Sequence, residues 1–276
     1  MQFGSPTCNP FITLVCNFRC PYCITRVAPD YDFGYDHFPP DTWIRALNNL
    51  EDVQDFIFNG GEPTLVHGNG FADIINALKP SRLVAIGTNG NPKAVDVLKL
   101  ITPRADLVID ISLHPTEINP ASVLTAAKTL RDCKHRVRIH TVTWPGLGVI
   151  PHVLAEQAET EGIEAFVQRF DGWYDGEPHG GMVEHFGMAD ATPCRTRHHA
   201  RCWPTIYRPV APNGDIYICH NHMYRRLGVG IIGNIFDGWA TEPDETAGVA
   251  CDWYGWCNPC DLPRRIDVLG QVKGER

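Results

Sequence analysis

Short apolar runs alternate with amphipathic stretches between residues 11 and 170. The runs 11–16, 55–59, 82–87, 106–113, 136–142 and 165–170 are of strand length and nearly continuously apolar, the pattern of parallel strands buried on both faces. Helical spacing fills the gaps between them. Asp41 stands where it could cap a helix carrying Trp43, Leu47 and Leu50. Phe71, Ile74, Ile75 and Leu78 mark a second helix closed by Pro80. Asn91-Pro92 and Asn119-Pro120 read as N-caps followed by proline at the first helical position. Val153, Leu154 and Ala158 mark a fifth helix that stops at Gly162. Six strands alternating with five helices predict an α/β fold with a parallel sheet and right-handed crossovers, whose ligands gather at the carboxyl ends of the strands.

The pattern changes after residue 170. Residues 171–201 carry Gly, His and Arg without periodicity and read as a connecting or substrate-contacting loop. Segments 205–210 and 215–218 read as a hairpin turning at Asn213-Gly214. The polar stretch beyond Cys260 is expected to fray. The division this predicts is a core over 1–175 and an extension over 176–276.

Composition narrows the class. With 276 residues, 43% hydrophobic and 20% charged, the body of the chain has the apolar material for a packed core, which excludes intrinsic disorder. A formal charge of −8 gives no general attraction to polyphosphate, so nucleic acid is disfavoured as a partner. No run approaches the ~20 apolar residues of a membrane span, so no membrane partner is expected. No secretory pattern opens the sequence, so a cytoplasmic location is expected. Eleven cysteines in such a compartment point to metal or cluster ligation rather than disulfides.

Cys16, Cys20 and Cys23 form C-x3-C-x2-C at the end of the first expected strand. Three thiolates on one short loop can ligate three irons of a [4Fe–4S] cube and leave the fourth open to a small molecule. A zinc knuckle on Cys20 and Cys23 is the alternative, which the extra Cys16 fits poorly. Here the sequence resembles the radical S-adenosylmethionine (SAM) enzymes, whose motif is C-x3-C-x-aromatic-C. Tyr22 fills the aromatic position, which in that family lies against the adenine of SAM. The resemblance continues at each strand end. Gly60-Gly61-Glu62-Pro63 matches the GGEP motif that holds the methionine amino group. Thr88, Asn89 and Ser112 fall where the family contacts SAM. The residues after that serine are often Leu-Asp-Gly, whereas here they are Leu113-His114-Pro115. The resemblance spans about residues 11–170 and implies a partial (β/α)6 barrel.

Cys202 and Cys219 flank the expected hairpin, and Cys257-Asn258-Pro259-Cys260 follows. The first pair resembles the opening of the SPASM and twitch extensions of some radical SAM enzymes. The two-pair form is similar to the 2-deoxy-scyllo-inosamine dehydrogenase type. It implies a small hairpin extension holding one auxiliary [4Fe–4S] cluster, with zinc on the same thiolates as the competitor. Cys133 reads as packing. Cys8 is uninformative, and Cys194 and Cys251 could supply a ligand or a hydrogen atom.

The resemblance therefore implies two [4Fe–4S] clusters, SAM, a flavodoxin- or ferredoxin-like electron donor, and a 5′-deoxyadenosyl radical that abstracts hydrogen from the substrate. The leading expectation is oxidation of a small molecule, with the auxiliary cluster accepting an electron while a base removes a proton. Candidate bases are His114, His140, Arg169 and Asp171, at or just beyond expected strand ends. The alternatives are redox-neutral epimerisation or crosslinking of a peptide, and, from another class, a zinc-binding module without catalysis. The lack of a spare leader-binding segment tilts the expectation toward a small molecule.

Overall fold

The computed structural model describes residues 7–21, 23, 37–143, 146–170, 172–174, 177–179, 198–203, 207–240, 248–254 and 265–271. Six strands and five helices alternate as expected: β1 (Thr7–Pro10), α1 (Pro40–Asn48), β2 (Asp55–Phe58), α2 (Asn69–Asn76), β3 (Leu83–Thr88), α3 (Pro92–Leu98), β4 (Leu107–Ser112), α4 (Pro120–Asp132), β5 (Arg136–Thr143), α5 (Ile150–Thr160) and β6 (Glu164–Arg169). Each neighbouring pair from β1 to β6 is parallel. This is the parallel α/β sheet of a partial barrel.

One face of the sheet packs on the helices. Phe56, Phe58, Val84, Ile86, Ile109, Ile111 and Ile139 join Trp43, Leu47, Phe71, Ile75, Leu98, Leu130 and Leu154 in a single buried cluster. Burial of each such side chain contributes about 1.5–3 kcal/mol. Strand residues alternate between faces, so the intervening positions Asp110, Ser112, Arg138, His140, Phe166 and Gln168 line the opposite, inner face. Phe166 is 39% exposed there.

Asn91 caps α3 by accepting from the amides of Lys93 and Ala94, and Asn119 caps α4 by accepting from Ala121. Asp41 is not a cap: α1 begins at Pro40 behind Pro39, which leaves Asp41 in the first turn. The first strand also lies earlier than expected. Thr7–Pro10 pairs with β2 on one side and with β10 (Tyr207–Val210) on the other. Past Pro10 the regular ladder gives way to an isolated bridge from Phe11 to Asn59, and residues 12–16 are loop.

The hairpin forms between β10 and β11 (Asp215–Tyr217), with Gly214 at φ +86° in its turn. Its first strand lies parallel beside β1. With β12 (Ile231–Asn234) and β13 (Trp239–Ala240) it completes a ten-stranded sheet of order β13-β12-β11-β10-β1-β2-β3-β4-β5-β6. A short helix, His220–Tyr224, sends Met223 and Tyr224 into a second buried cluster with Phe11, Leu14, Ala211 and Tyr217. The aperiodic region contains the two-stranded pair β7 (Gly172–Tyr174) and β8 (Glu177–His179), then β9 (His198–Trp203). The tail expected to fray instead supplies β15 (Arg265–Gln271), which pairs with β9 opposite β14 (Val249–Tyr254).

Candidate functional site

The site is built by the loop after β1. Gly61 donates its amide to the Thr13 carbonyl at 3.1 Å, and Glu62 donates to the Val15 carbonyl at 2.8 Å. The cysteine loop and the Gly60–Pro63 turn are thus joined as an extra pair of backbone rungs beyond β1 and β2. Both glycines are required by this contact. A Cβ on Gly61 would lie 2.0 Å from the Val15 carbonyl oxygen. One on Gly60, which has φ +146°, would lie 2.2 Å from the Thr13 oxygen. The close backbone approach that the two glycines permit is made to the loop that carries Cys16.

Glu62 is fully buried. Its carboxylate accepts from Thr64 Oγ1 at 2.7 Å, Thr88 Oγ1 at 3.0 Å and the Asn89 amide at 2.7 Å. Burial pushes this carboxyl above its usual range, and the hydrogen bonds pull it back. Asn89, at the end of β3, extends the network: its Nδ2 donates to Asn17 Oδ1 at 2.9 Å and lies 3.9 Å from Cys16 Sγ. Pro63 is buried beside Glu62. Thr13, at the base of the loop, accepts from the Val15 amide at 3.0 Å and meets His37 Nε2 at 3.0 Å.

The three thiols occupy one short loop. Cys16 Sγ receives the Phe18 amide at 3.4 Å, Cys20 is buried, and Cys16 and Cys23 are half-buried. The Cys23 amide donates to the Cys20 carbonyl. Burial raises the Cys16 thiol, and the nearby Glu62 and Cys23 add to the rise. A donor set of three thiols on one loop, with N–H groups aimed at the sulfurs and glycines closing the turn beneath, suits an iron–sulfur cube better than zinc, which wants four ligands. Among the described residues, Cys16, Cys20 and Cys23 included, no group of three or more His, Cys, Asp or Glu side chains is arranged to hold a metal ion.

His114 follows β4, and its Nδ1 stands 3.4 Å from Cys20 Sγ. Burial, with a smaller effect of neighbouring His140, pushes its pKa down to about 4. His140 lies on the inner face of β5, in register with Ser112 of β4 and Phe166 of β6. Its ring stacks on Phe166 at 4.6 Å, and its Nε2 lies 2.8 Å from Gln168 Oε1. Burial lowers its pKa despite that hydrogen bond. Beside it, Arg138 grips Asp110 through two bonds of 2.6 Å and lies over the Phe166 ring at 5.6 Å. Sequence reading missed this wall of Asp110, Arg138, Phe166 and Gln168. Its signal was strict alternation, with polar residues at 136, 138 and 140, where a doubly buried strand would be continuously apolar.

Arg169 closes β6 in backbone only, and Asp171 and Tyr22 lie outside the described residues. So do Cys257, Cys260 and Cys194. Cys202 is half-buried in β9, where it pairs with Val249 and Ile266. Cys219 precedes the short helix, with its Sγ 3.2 Å from His222 Nδ1. β11 is antiparallel to β10, and His220, which follows Cys219, reaches Asn9 and Phe11. Cys8 is fully buried in the main core, which raises its thiol. Cys133 is half-buried at the end of α4, and Cys251 is half-buried in β14.

Several solved structures share this fold. SuiB of Streptococcus suis bound to S-adenosylmethionine matches with a TM-score of 0.59 at 16% identity, over 87% of this chain and 67% of that one. SuiB has also been solved bound to its precursor peptide SuiA, which matches with a TM-score of 0.53. Native anSMEcpe with bound AdoMet matches with a TM-score of 0.57 at 14% identity, over 84% of this chain and 78% of that one. It too has been solved with AdoMet and a peptide, Cp18Cys. Among curated proteins, the GTP 3′,8-cyclase of Edwardsiella ictaluri (strain 93-146) is 34% identical over 92 residues, which is 31% of this chain and 27% of that protein. No family model matches. Among the described residues, no helix is long and apolar enough to cross a membrane.

Proposed function

We propose that this chain is a radical SAM enzyme whose substrate is a peptide. The observation that carries the first part is the interlock at the strand ends. The three-cysteine loop, the Gly60–Pro63 turn and Asn89 are bonded to one another rather than merely present in the sequence. In this reading Cys16, Cys20 and Cys23 hold a [4Fe–4S] cluster, and Tyr22, Glu62, Thr88, Asn89 and Ser112 hold SAM. When bound, that pair supplies a 5′-deoxyadenosyl radical for hydrogen abstraction.

The peptide reading is supported by SuiB and anSMEcpe, each solved with a peptide, and it moves the small-molecule expectation to second place. The inner wall of β4–β6 is the surface such a substrate would meet. There His140 is the base best supported by geometry. Its Nε2–H donates to Gln168 Oε1, so the lone pair lies on Nδ1. Its lowered pKa keeps it neutral near pH 7 and able to take a proton at that atom. Phe166 and the Arg138–Asp110 pair hold the ring's surroundings in place. An auxiliary cluster on Cys202, Cys219, Cys257 and Cys260 extends the proposal to oxidation, with the cysteine spacing as its support.

Anaerobic reconstitution followed by iron analysis and a SAM-cleavage assay tests this. The wild type should take up about four irons, or about eight if the second set is also filled. With dithionite it should release 5′-deoxyadenosine. Cys16→Ala should reduce that release more than about 100-fold. Equal release by wild type and variant, or no iron uptake by the wild type, would overturn the reading. In a peptide product, loss of two hydrogens identifies oxidation or crosslinking, and solvent deuterium at unchanged composition identifies epimerisation.

A further inference from the structure

His114 stands where the resembled family often has aspartate, and the structure turns it toward the cysteine loop. Three contacts fix it there. Its carbonyl accepts the amides of Glu117 and Ile118 at 2.8 and 2.9 Å, which locks the backbone after β4. The ring of Phe18, which lies between Cys16 and Cys20 in the loop, meets its imidazole edge-to-face at 5.9 Å. Its Nδ1 then lies 3.4 Å from Cys20 Sγ. We propose that His114 is a positioning residue of the cluster site, donating its Nδ1 proton to the Cys20 thiolate and raising the reduction potential of the cluster which that thiolate would hold.

The inference rests on the radical SAM reading and goes beyond it. A ligating thiolate carries no proton, so the hydrogen of this contact must come from the ring. Ligation therefore selects the Nδ1–H tautomer and leaves Nε2 as the acceptor. An N–H donated to a ligand sulfur stabilises the more negative, reduced state of the cluster. Among the described residues, Cys16 receives the Phe18 amide at 3.4 Å and the Asn89 side chain at 3.9 Å. The His114 contact to Cys20, at 3.4 Å, is thus shorter than the 3.9 Å side-chain contact of Asn89 to Cys16.

The test is an EPR-monitored redox titration of reconstituted protein with iron counted in each sample. His114→Leu removes the donor, and His114→Asn returns an amide N–H near the position of Nδ1. At the wild-type midpoint, the ratio of reduced to oxidised cluster should fall about tenfold in His114→Leu, a downward shift of ~59 mV for one electron. Most of it should return in His114→Asn. A His114→Leu protein with wild-type iron and an unmoved potential overturns the inference alone, as does an Asn variant that holds iron and recovers nothing. A wild type that takes no iron overturns the radical SAM reading, and the inference with it. Should His114→Leu lose its iron, ¹⁵N-histidine-labelled wild type decides the matter by pulsed EPR. A resolved imidazole coupling to the reduced cluster supports the bond, and its absence overturns it.

Discussion

The two edges of the parallel sheet treat charge in opposite ways. At the amino edge, ionised groups are paired with one another. Arg82 meets Asp55, Arg136 meets Glu164 at 3.2 Å, and Arg104 bonds Asp106 while also donating to the Leu78 and Lys79 carbonyls. The Asp106 carboxyl is accordingly held below the usual carboxylate range, chiefly by Arg104. At the carboxyl edge, burial favours neutral forms: Glu62 and Cys16 are raised, and His114 and His140 are lowered. The amino edge spends its charges on closing the barrel. At the carboxyl edge a half-dry setting favours the uncharged forms of acids and bases, so a charged ligand or a proton in transit meets groups whose protonation state burial has shifted. Stability at one end and chemistry at the other is the usual division in barrels of parallel strands.

The largest expected effect breaks the carboxyl edge alone. In Gly61→Ala the new methyl would sit 2.0 Å from the Val15 carbonyl oxygen, so the cysteine loop must move while the helix-packed core is untouched. Iron retained after reconstitution should fall more than about tenfold with an unchanged far-ultraviolet circular dichroism spectrum, since the site needs its ligands held within about half an ångström. Wild-type iron in this variant would mean that the loop does not depend on the turn beneath it.

A smaller effect separates the edges by pH. Asp106, with its lowered carboxyl pKa, contributes stability that is complete above the unfolded carboxylate value near ~4 and disappears as pH falls through the lower folded value. Glu62 has the opposite sign. Its raised pKa contributes stability that is present below the unfolded value and lost as pH rises through the folded one. Urea midpoints measured across the acid range should show Asp106→Asn flattening the acid limb and losing about 1–3 kcal/mol near neutrality, with no change in iron content. Glu62→Gln should flatten the slope above ~pH 4. Parallel pH profiles for both variants would remove the contrast between the edges.

Much of this contrast was legible in the sequence, because strand order and strand-end motifs are local signals. Cys16, Glu62, Asn89 and His114 each follow an apolar run, and a parallel sheet brings such positions to one edge. Two things were not legible. The pairing of β1 with β10 joins residues 200 apart in the chain, and no periodicity within either segment announces a partner at that distance. For this reason the first strand was expected at 11–16, where the apolar residues are, rather than at Thr7–Pro10, where the hydrogen-bonding neighbours are. The second cysteine set was read from its spacing alone, with no shared loop behind it. Cys202 lies in the β14-β9-β15 sheet and Cys219 follows a strand of the main sheet, so nothing local draws them together in the way one loop draws Cys16, Cys20 and Cys23.

The smallest effect concerns a signal that was read correctly twice and missed once. Proline at the first helical position places the cap on the residue before it, because proline lacks the amide hydrogen and fixes φ near the helical value. At Asn91-Pro92 the rule gives a cap that accepts two backbone amides, and Asn91→Ala should cost about 1 kcal/mol of stability. At Pro39-Pro40 the same rule puts the helix start ahead of Asp41, which then sits in the first turn with no capping bond from Pro39 above it. Asp41→Ala removes only its attraction to the helix dipole, about 0.5 kcal/mol or less at an exposed position. Chemical denaturation of the two alanine variants should therefore separate them by at least twofold in lost stability. Equal losses would show that Asp41 caps α1 in solution and that the helix starts two residues later than Pro40.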